Sequence, residues 1–218
     1  MGNLFSAINR LSLVLLVVGA TLISVSYSAF ITSFRPPVSF EALLEGQAVK
    51  PGSHVAGNVV SAFPPFASQT TYTKYKNGSR STERASGSFY VIPTDKGFIG
   101  LKTNEDQVVA MDQLVEETLR YSEEGGTPPT KKVYIEGEVL PMEPKLVKYY
   151  KEYLKESGFS AAEIKAMGEP LVIQYTVFRN VQLMVAGGII VILAGIGLIV
   201  RRYKQLSAEE SAGDNVVS

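Results

Sequence analysis

Cysteine is absent from the 218 residues, histidine occurs once, and the formal net charge is zero. The first absence removes disulfides, thiolate metal sites and cysteine nucleophiles together, so an exported domain would have to rely on its core. A cysteine-free exported chain also fits a bacterial host better than an animal ectodomain. The lone histidine, His54, has no acidic or histidine neighbour at ligand spacing, and it reads as a solvent-facing residue at a strand edge rather than a metal or catalytic group. Residues 36–178 hold 15 Lys and Arg against 18 Asp and Glu, a balance of −3, which gives no footprint for nucleic acid. Also missing are G-x-S-x-G, H-E-x-x-H, a P-loop, a dinucleotide fingerprint and a calcium loop. No catalytic residue, metal or cofactor is therefore expected.

What the chain does have is two long apolar runs. Residues 181–200, VQLMVAGGIIVILAGIGLIV, form twenty uncharged positions between Arg179 and the cluster Arg201, Arg202 and Lys204. At about 1.5 Å of rise per residue, a helix of that length spans a bilayer's hydrocarbon core. Residues 11–34 are uncharged between Arg10 and Arg35, and they end in Tyr27, Phe30 and Phe34, aromatics suited to an interface. A cleaved signal peptide competes with a retained helix there. The retained helix is favoured because the uncharged run exceeds a usual signal core. Neither run carries an ionisable residue, which argues against an ion path or a transporter. Small residues recur at Ala20, Ser24 and Ser28 in the first run and at Gly187, Gly188 and Gly195 in the second, allowing close helix approach within one chain or between copies.

Three basic residues just after the second run outweigh the single Arg179 before it, so the C-terminal tail is expected in the cytoplasm. Two spans then put both termini there. The expected layout is a cytoplasmic N-terminus over 1–10, helices over 11–34 and 180–200, an extracytoplasmic domain over 35–179, and a cytoplasmic tail over 201–218 that is disordered after Lys204. Met1, Gly2 and Ser6 also fit a myristoylation pattern, which a following membrane helix makes redundant.

The domain between the runs reads as α+β: a small mixed or antiparallel sheet, barrel-like as one option, with two to three packed helices. Residues 38–46 look like a helical turn or two closed by Gly46, and 54–63 like a strand stopped by Pro64 and Pro65. Residues 70–75 and 88–93 read as paired strands, and Thr94-Asp95-Lys96-Gly97 as a tight turn into a strand over 98–102. Thr103 with Asp106 signals a helix start, after which Met111, Leu114, Val115 and Leu119 make one buried stripe. Gly125 and Gly126 stop that helix. Strand 131–142 shares with 55–60 the pattern aliphatic, x, Gly, x, Val, aliphatic, where the glycine permits a bulge or bend. Pro144 opens a helix with Leu146, Tyr150 and Leu154 inward and Tyr149 and Tyr153 flanking; Ser160 and Glu163 cap another. Residues 170–178 form a last strand or an extended lead into the second run.

Lys74, Lys76, Arg80 and Arg84 crowd a polar connection beside Tyr72 and Tyr75, a surface for an anionic headgroup, an envelope polymer or an acidic partner. Asn77-Gly78-Ser79 within it matches a glycosylation sequon.

The order of an uncharged N-terminal helix, the G-x-V strand, SFYVIP-turn-GFIGL, and VYIEGEVLPMEPKLVKYYKEYLKESGFSAAEI before a final anchor is similar to an uncharacterised family of two-pass membrane proteins from Gram-positive bacteria. The resemblance implies two-pass topology and a bacterial host, and no activity or site residue. The functional expectation is a binding or scaffold module for an envelope component or membrane protein partner, with the bilayer and a second copy as further partners. An envelope enzyme assembled only in the fold, or a ligand sensor coupled to its helices, are the alternatives.

Overall fold

In chain order the elements are α1 (Arg10–Thr32), α2 (Phe40–Leu44), β1 (His54–Val59), β2 (Phe63–Thr71), β3 (Arg84–Thr94), β4 (Gly97–Asn104), α3 (Glu105–Glu124), β5 (Val133–Pro141), α4 (Pro144–Glu156), α5 (Ala161–Ala166), β6 (Leu171–Tyr175) and α6 (Phe178–Asp214). These come from a computed structural model that describes residues 7–125 and 127–214. The chain divides into two units, residues 34–177 and the terminal segments 1–33 with 178–218.

Residues 34–177 form an α+β domain on one six-stranded sheet in the order β1-β5-β6-β4-β3-β2. Every neighbouring pair is antiparallel except β4 with β6, so the sheet is mixed. β1 and β2 are its open edges, and no barrel closes. Residues on alternate positions supply two cores, as a sheet covered on both faces requires. On one face Tyr90, Ile92, Ile99, Leu101, Ile135 and Ile173 pack with Met111 and Leu114 of α3 and with Phe40 and Leu43 of α2. On the other, Phe89, Val91 and Val172 pack with Tyr150 and Leu154 of α4 and Ile164 of α5. Edge-to-face pairs Phe63–Phe98 at 5.8 Å and Phe98–Phe159 at 5.4 Å extend the second core.

Several local expectations meet their physical limits here. Pro64 and Pro65 lie inside β2 rather than ending a strand, because β2 is an edge strand and its pairing with β3 breaks register between Phe63 and Ala67, so neither position has to donate an N–H to the ladder. The capping box of α3 forms at Asn104 with Gln107, one residue later than the Thr103 signal. Thr103 instead sits fully buried in β4. β6 is a central strand, not a lead, and α2 is capped by Ser39. The two shared-pattern glycines serve different ends: Gly57 has φ 151°, whereas Gly137 lies where a Cβ would strike the Gln174 carbonyl of β6. Gly125 ends α3 in the left-handed conformation at φ 65°, and Gly126 lies outside the described residues.

After α3 the chain returns to β5 through a loop held by one carboxylate. Glu117 Oε2 accepts from the backbone N–H of Thr130 at 2.7 Å and of Lys131 at 2.9 Å. The Lys131 and Thr130 amides hold its pKa below the ordinary value. A lowered folded pKa means the contribution is intact above the unfolded value, about 4.3, and is lost as pH falls through the folded one. Glu117→Ala is expected to speed amide exchange at Thr130 and Lys131 roughly tenfold near neutral pH. Wild type and variant should converge in acid, and hydrogen exchange at the two pH values checks both halves.

In the terminal unit, α1 and α6 pair antiparallel: Gly195 lies beside Ser12, Gly188 beside Gly19 and Ile23, and the Gln182 amide donates to Ser33 Oγ at 3.1 Å. Asn9 caps α1 with a reciprocal bond from Ser12. Both helices are long and apolar enough to cross a membrane, and only 11% and 17% of their apolar windows are buried. The expected disordered tail begins as helix instead. α6 runs to Asp214 because residues 201–212 hold no proline or glycine to break it.

Candidate functional site

The residues singled out between the apolar runs come together at the tip of the β2–β3 hairpin. β2 and β3 pair down to Thr71 opposite Arg84, and beyond that the two arms stay bonded. The Ser81 N–H donates to the Thr73 carbonyl at 2.8 Å, and the Tyr75 N–H to the Ser79 carbonyl at 2.9 Å. Lys74 and Arg80 form a bridge pair. Gly78 takes φ 84° in the turn, where the Asn77 side chain accepts from the Ser79 N–H. The stretch is thus a hydrogen-bonded finger rather than a loose loop. Lys74, Lys76, Arg80 and Arg84 are exposed along it, and Tyr72 and Tyr75 are 44% and 53% exposed. The Arg80 guanidinium lies 4.6 Å from the Tyr72 ring centre, a cation–π contact that fixes both groups.

A second feature lies across the sheet face that carries α4. Register aligns His54, Glu138, Gln174, Lys102, Phe89 and Ala67 in one row over all six strands. At its centre Lys102, Gln174, Gln69, Lys145 and Tyr149 rim a groove of about 330 Å³ floored by Phe89, Leu146 and Val172. The Lys102 ammonium sits 5.7 Å from the Phe89 ring centre. Ser68 and the Glu143 carboxylate also line it, so hydrogen-bond donors and acceptors surround an apolar floor, an arrangement suited to holding a ligand.

At the β1 end of this row the expectation for His54 is overturned. It is 7% exposed, not solvent-facing. Its Nδ1 lies 3.0 Å from the Arg35 carbonyl, which can only accept, so an Nδ1–H donates to it. Nε2 then faces Glu136 Oε1 at 3.3 Å. Spacing along the sequence missed this cluster because antiparallel pairing, not proximity in sequence, brings Glu136 and Glu138 to His54. Its role is to tie residue 35 to β1 and β5, assisted by the Arg35 guanidinium on the Gly52 carbonyl. Among the described residues no three His, Asp or Glu side chains form a metal-holding group.

The remaining residues singled out lie in the terminal unit. Gly188 and Gly195 sit at the helix crossing, where a Cβ on Gly188 would meet Ile23 at 2.9 Å. Gly187 faces open space, and Ala20 and Ser24 are exposed; the α1 seam runs instead through Ser12, Gly19 and Ser26. Arg10 opens α1, and Arg201, Arg202 and Lys204 are exposed on α6. Met1, Gly2 and Ser6 lie outside the described residues.

A family model described as a domain of unknown function, DUF8577, matches residues 3–201. The chain belongs to the DUF8577 family. The match takes in α1, the whole of residues 34–177 and the apolar part of α6, so the DUF8577 unit comprises both apolar helices and the domain between them. No curated protein and no solved structure matches the chain. The DUF8577 assignment agrees with the resemblance to an uncharacterised family and assigns no residue a role.

Proposed function

We propose that this DUF8577 protein crosses a bacterial, Gram-positive-type membrane twice and uses its extracytoplasmic α+β domain as a binding or scaffold module for an envelope component or a membrane protein partner. The observation that carries this reading is the β2–β3 finger, a hydrogen-bonded projection with four exposed cations and two half-exposed tyrosines. Such preorganised aromatic and cationic groups bind at low ordering cost. The mostly exposed apolar windows of α1 and α6 support their spanning a bilayer. Their antiparallel pairing supports a retained first helix, since a two-pass chain needs that arrangement. Arg201, Arg202 and Lys204 support cytoplasmic termini.

The absence of native cysteine makes the topology directly readable. Single cysteines at Ser6, Ser79 and Ser211, probed in intact cells with a membrane-impermeant thiol reagent, are expected to label only at position 79, on a chain of full-length mass. Labelling at 6 and 211 but not at 79 would invert the orientation and remove the envelope role. A mass lacking the first helix would reduce the protein to a single-pass anchored domain.

A further inference from the structure

The finger carries charge opposite in sign to the rest of its domain. Residues 72–84 hold Lys74, Lys76, Arg80 and Arg84 against Glu83, a balance of +3. The rest of residues 36–178 holds 11 Lys and Arg against 17 Asp and Glu, a balance of −6. The ion pairs among the described residues lie elsewhere, at Arg120–Glu116 and Lys148–Glu152, for example, and none engages a cation of the finger. Segregation of this kind concentrates a positive field at one end of the domain and leaves it available to an anion.

Register identifies that end. β4 runs parallel to β6 with Lys102 beside Gln174, and β3 runs antiparallel to β4 with Gly87 beside Asn104. Arg84 and the finger before it therefore extend beyond the end of the sheet at which β6 finishes. β6 stops at Tyr175, and after two intervening residues Phe178 begins an apolar helix long enough to span a bilayer. The finger thus projects from the end of the sheet at which the chain leaves for the membrane. Tyr72 and Tyr75, each with an apolar ring and a polar tip, have the chemistry favoured at headgroup level.

We propose that the β2–β3 finger docks on anionic phospholipid headgroups of the membrane that α1 and α6 cross. Lys74, Lys76, Arg80 and Arg84 supply the charge, and Tyr72 and Tyr75 enter the headgroup layer. The inference rests on the two-pass reading above and specifies its envelope component as lipid. The domain is then held to the surface at a third point besides its two covalent connections.

The chain has no tryptophan, so Tyr75→Trp places a sole tryptophan reporter in the exposed finger. The full-length protein would be reconstituted in vesicles of phosphatidylcholine alone or with about 30 mol% phosphatidylglycerol, each doped with a headgroup nitroxide quencher. Quenching is expected to be at least about threefold greater with phosphatidylglycerol. It should fall to the neutral-lipid level at high salt, and again when Lys74→Glu and Lys76→Glu are added, with unchanged circular dichroism. Equal quenching in both lipids would overturn the proposal, as would a response to soluble polyglutamate without one to lipid. Alkaline carbonate extraction of the same samples separates the two readings. Retention in the vesicles without anion-dependent quenching defeats lipid docking alone, whereas release from them defeats the spans and the docking together.

Discussion

Replacing Gly137 with alanine is expected to destabilise the domain by about 1–3 kcal/mol, the range for forcing extra atoms into a closely packed interior. Gly137 lies in β5, between β1 and β6, so neither neighbour can move freely. A Cβ there would lie 2.4 Å from the Gln174 carbonyl oxygen, 3.0 Å from its carbon and 3.1 Å from Ile173 Cγ2. The first two are backbone atoms, so no rotamer change relieves the contact; β6 itself must shift. β6 also carries Ile173, fully buried in the core beneath α3, and bonds to β4 on its other side. A shift therefore propagates through both halves of the sheet. Gly187→Ala is the matching control, since Gly187 lies inside α6 without a positive φ and a Cβ there meets nothing within 4 Å. Urea unfolding of the full chain should show a lower midpoint for Gly137→Ala and little change for Gly187→Ala. Equal midpoints would show that β5 and β6 are farther apart than described.

Alkaline pH is expected to unfold the domain through two tyrosines on opposite faces of the sheet. Tyr90 is fully buried, and its hydroxyl donates to Asp112 Oδ1 at 2.7 Å. Tyr150 is 3% exposed and donates to the Phe98 carbonyl at 2.8 Å. Burial pushes both hydroxyls well above the ordinary tyrosine range, and the Asp112 carboxylate raises Tyr90 further. Below about pH 10 both folded and unfolded chains keep these protons, and the two groups give stability no pH dependence. Above it the unfolded chain releases protons that the folded chain retains. Stability should then fall by about 1.4 kcal/mol per pH unit for each tyrosine, until the folded pKa values are reached. Tyr90→Phe and Tyr150→Phe should each remove one share of that slope, and the double variant most of it. Tyr90→Phe also loses a hydrogen bond at neutral pH, a cost of about 1 kcal/mol because the exposed Asp112 can turn to water. Denaturant titrations at pH 8 to 11 would read this out, and an unchanged slope in the double variant would refute it.

Elements whose cause is local were legible in the sequence. The Ser160–Glu163 capping box, the Asp95–Lys96 turn and the stripe Met111, Leu114 and Val115 depend on neighbours within a few residues, and each forms at its expected place. The two apolar helices were legible for the same reason, since length and composition alone qualify them for a bilayer. The prolines of β2 were misleading because their tolerance depends on the strand's place at the edge, which periodicity does not report. His54 was misread because its partners arrive from β5, some eighty positions later in the chain. The shared glycine pattern was visible, yet its two meanings, a backbone angle at Gly57 and a close strand approach at Gly137, became distinct only with β6 in place.

By itself the sequence determined the α+β class, the two apolar helices and the cationic stretch beside Tyr72 and Tyr75, because hydropathy, caps and charge act over short range. Only the tertiary structure decided that the sheet stays open, that Gly19 and Ser12 rather than Ala20 and Ser24 line the helix crossing, and that the cations ride a hydrogen-bonded finger at the end of the sheet where β6 finishes. Those outcomes depend on strand order, register and helix rotation, which are set by contacts between residues far apart in the chain.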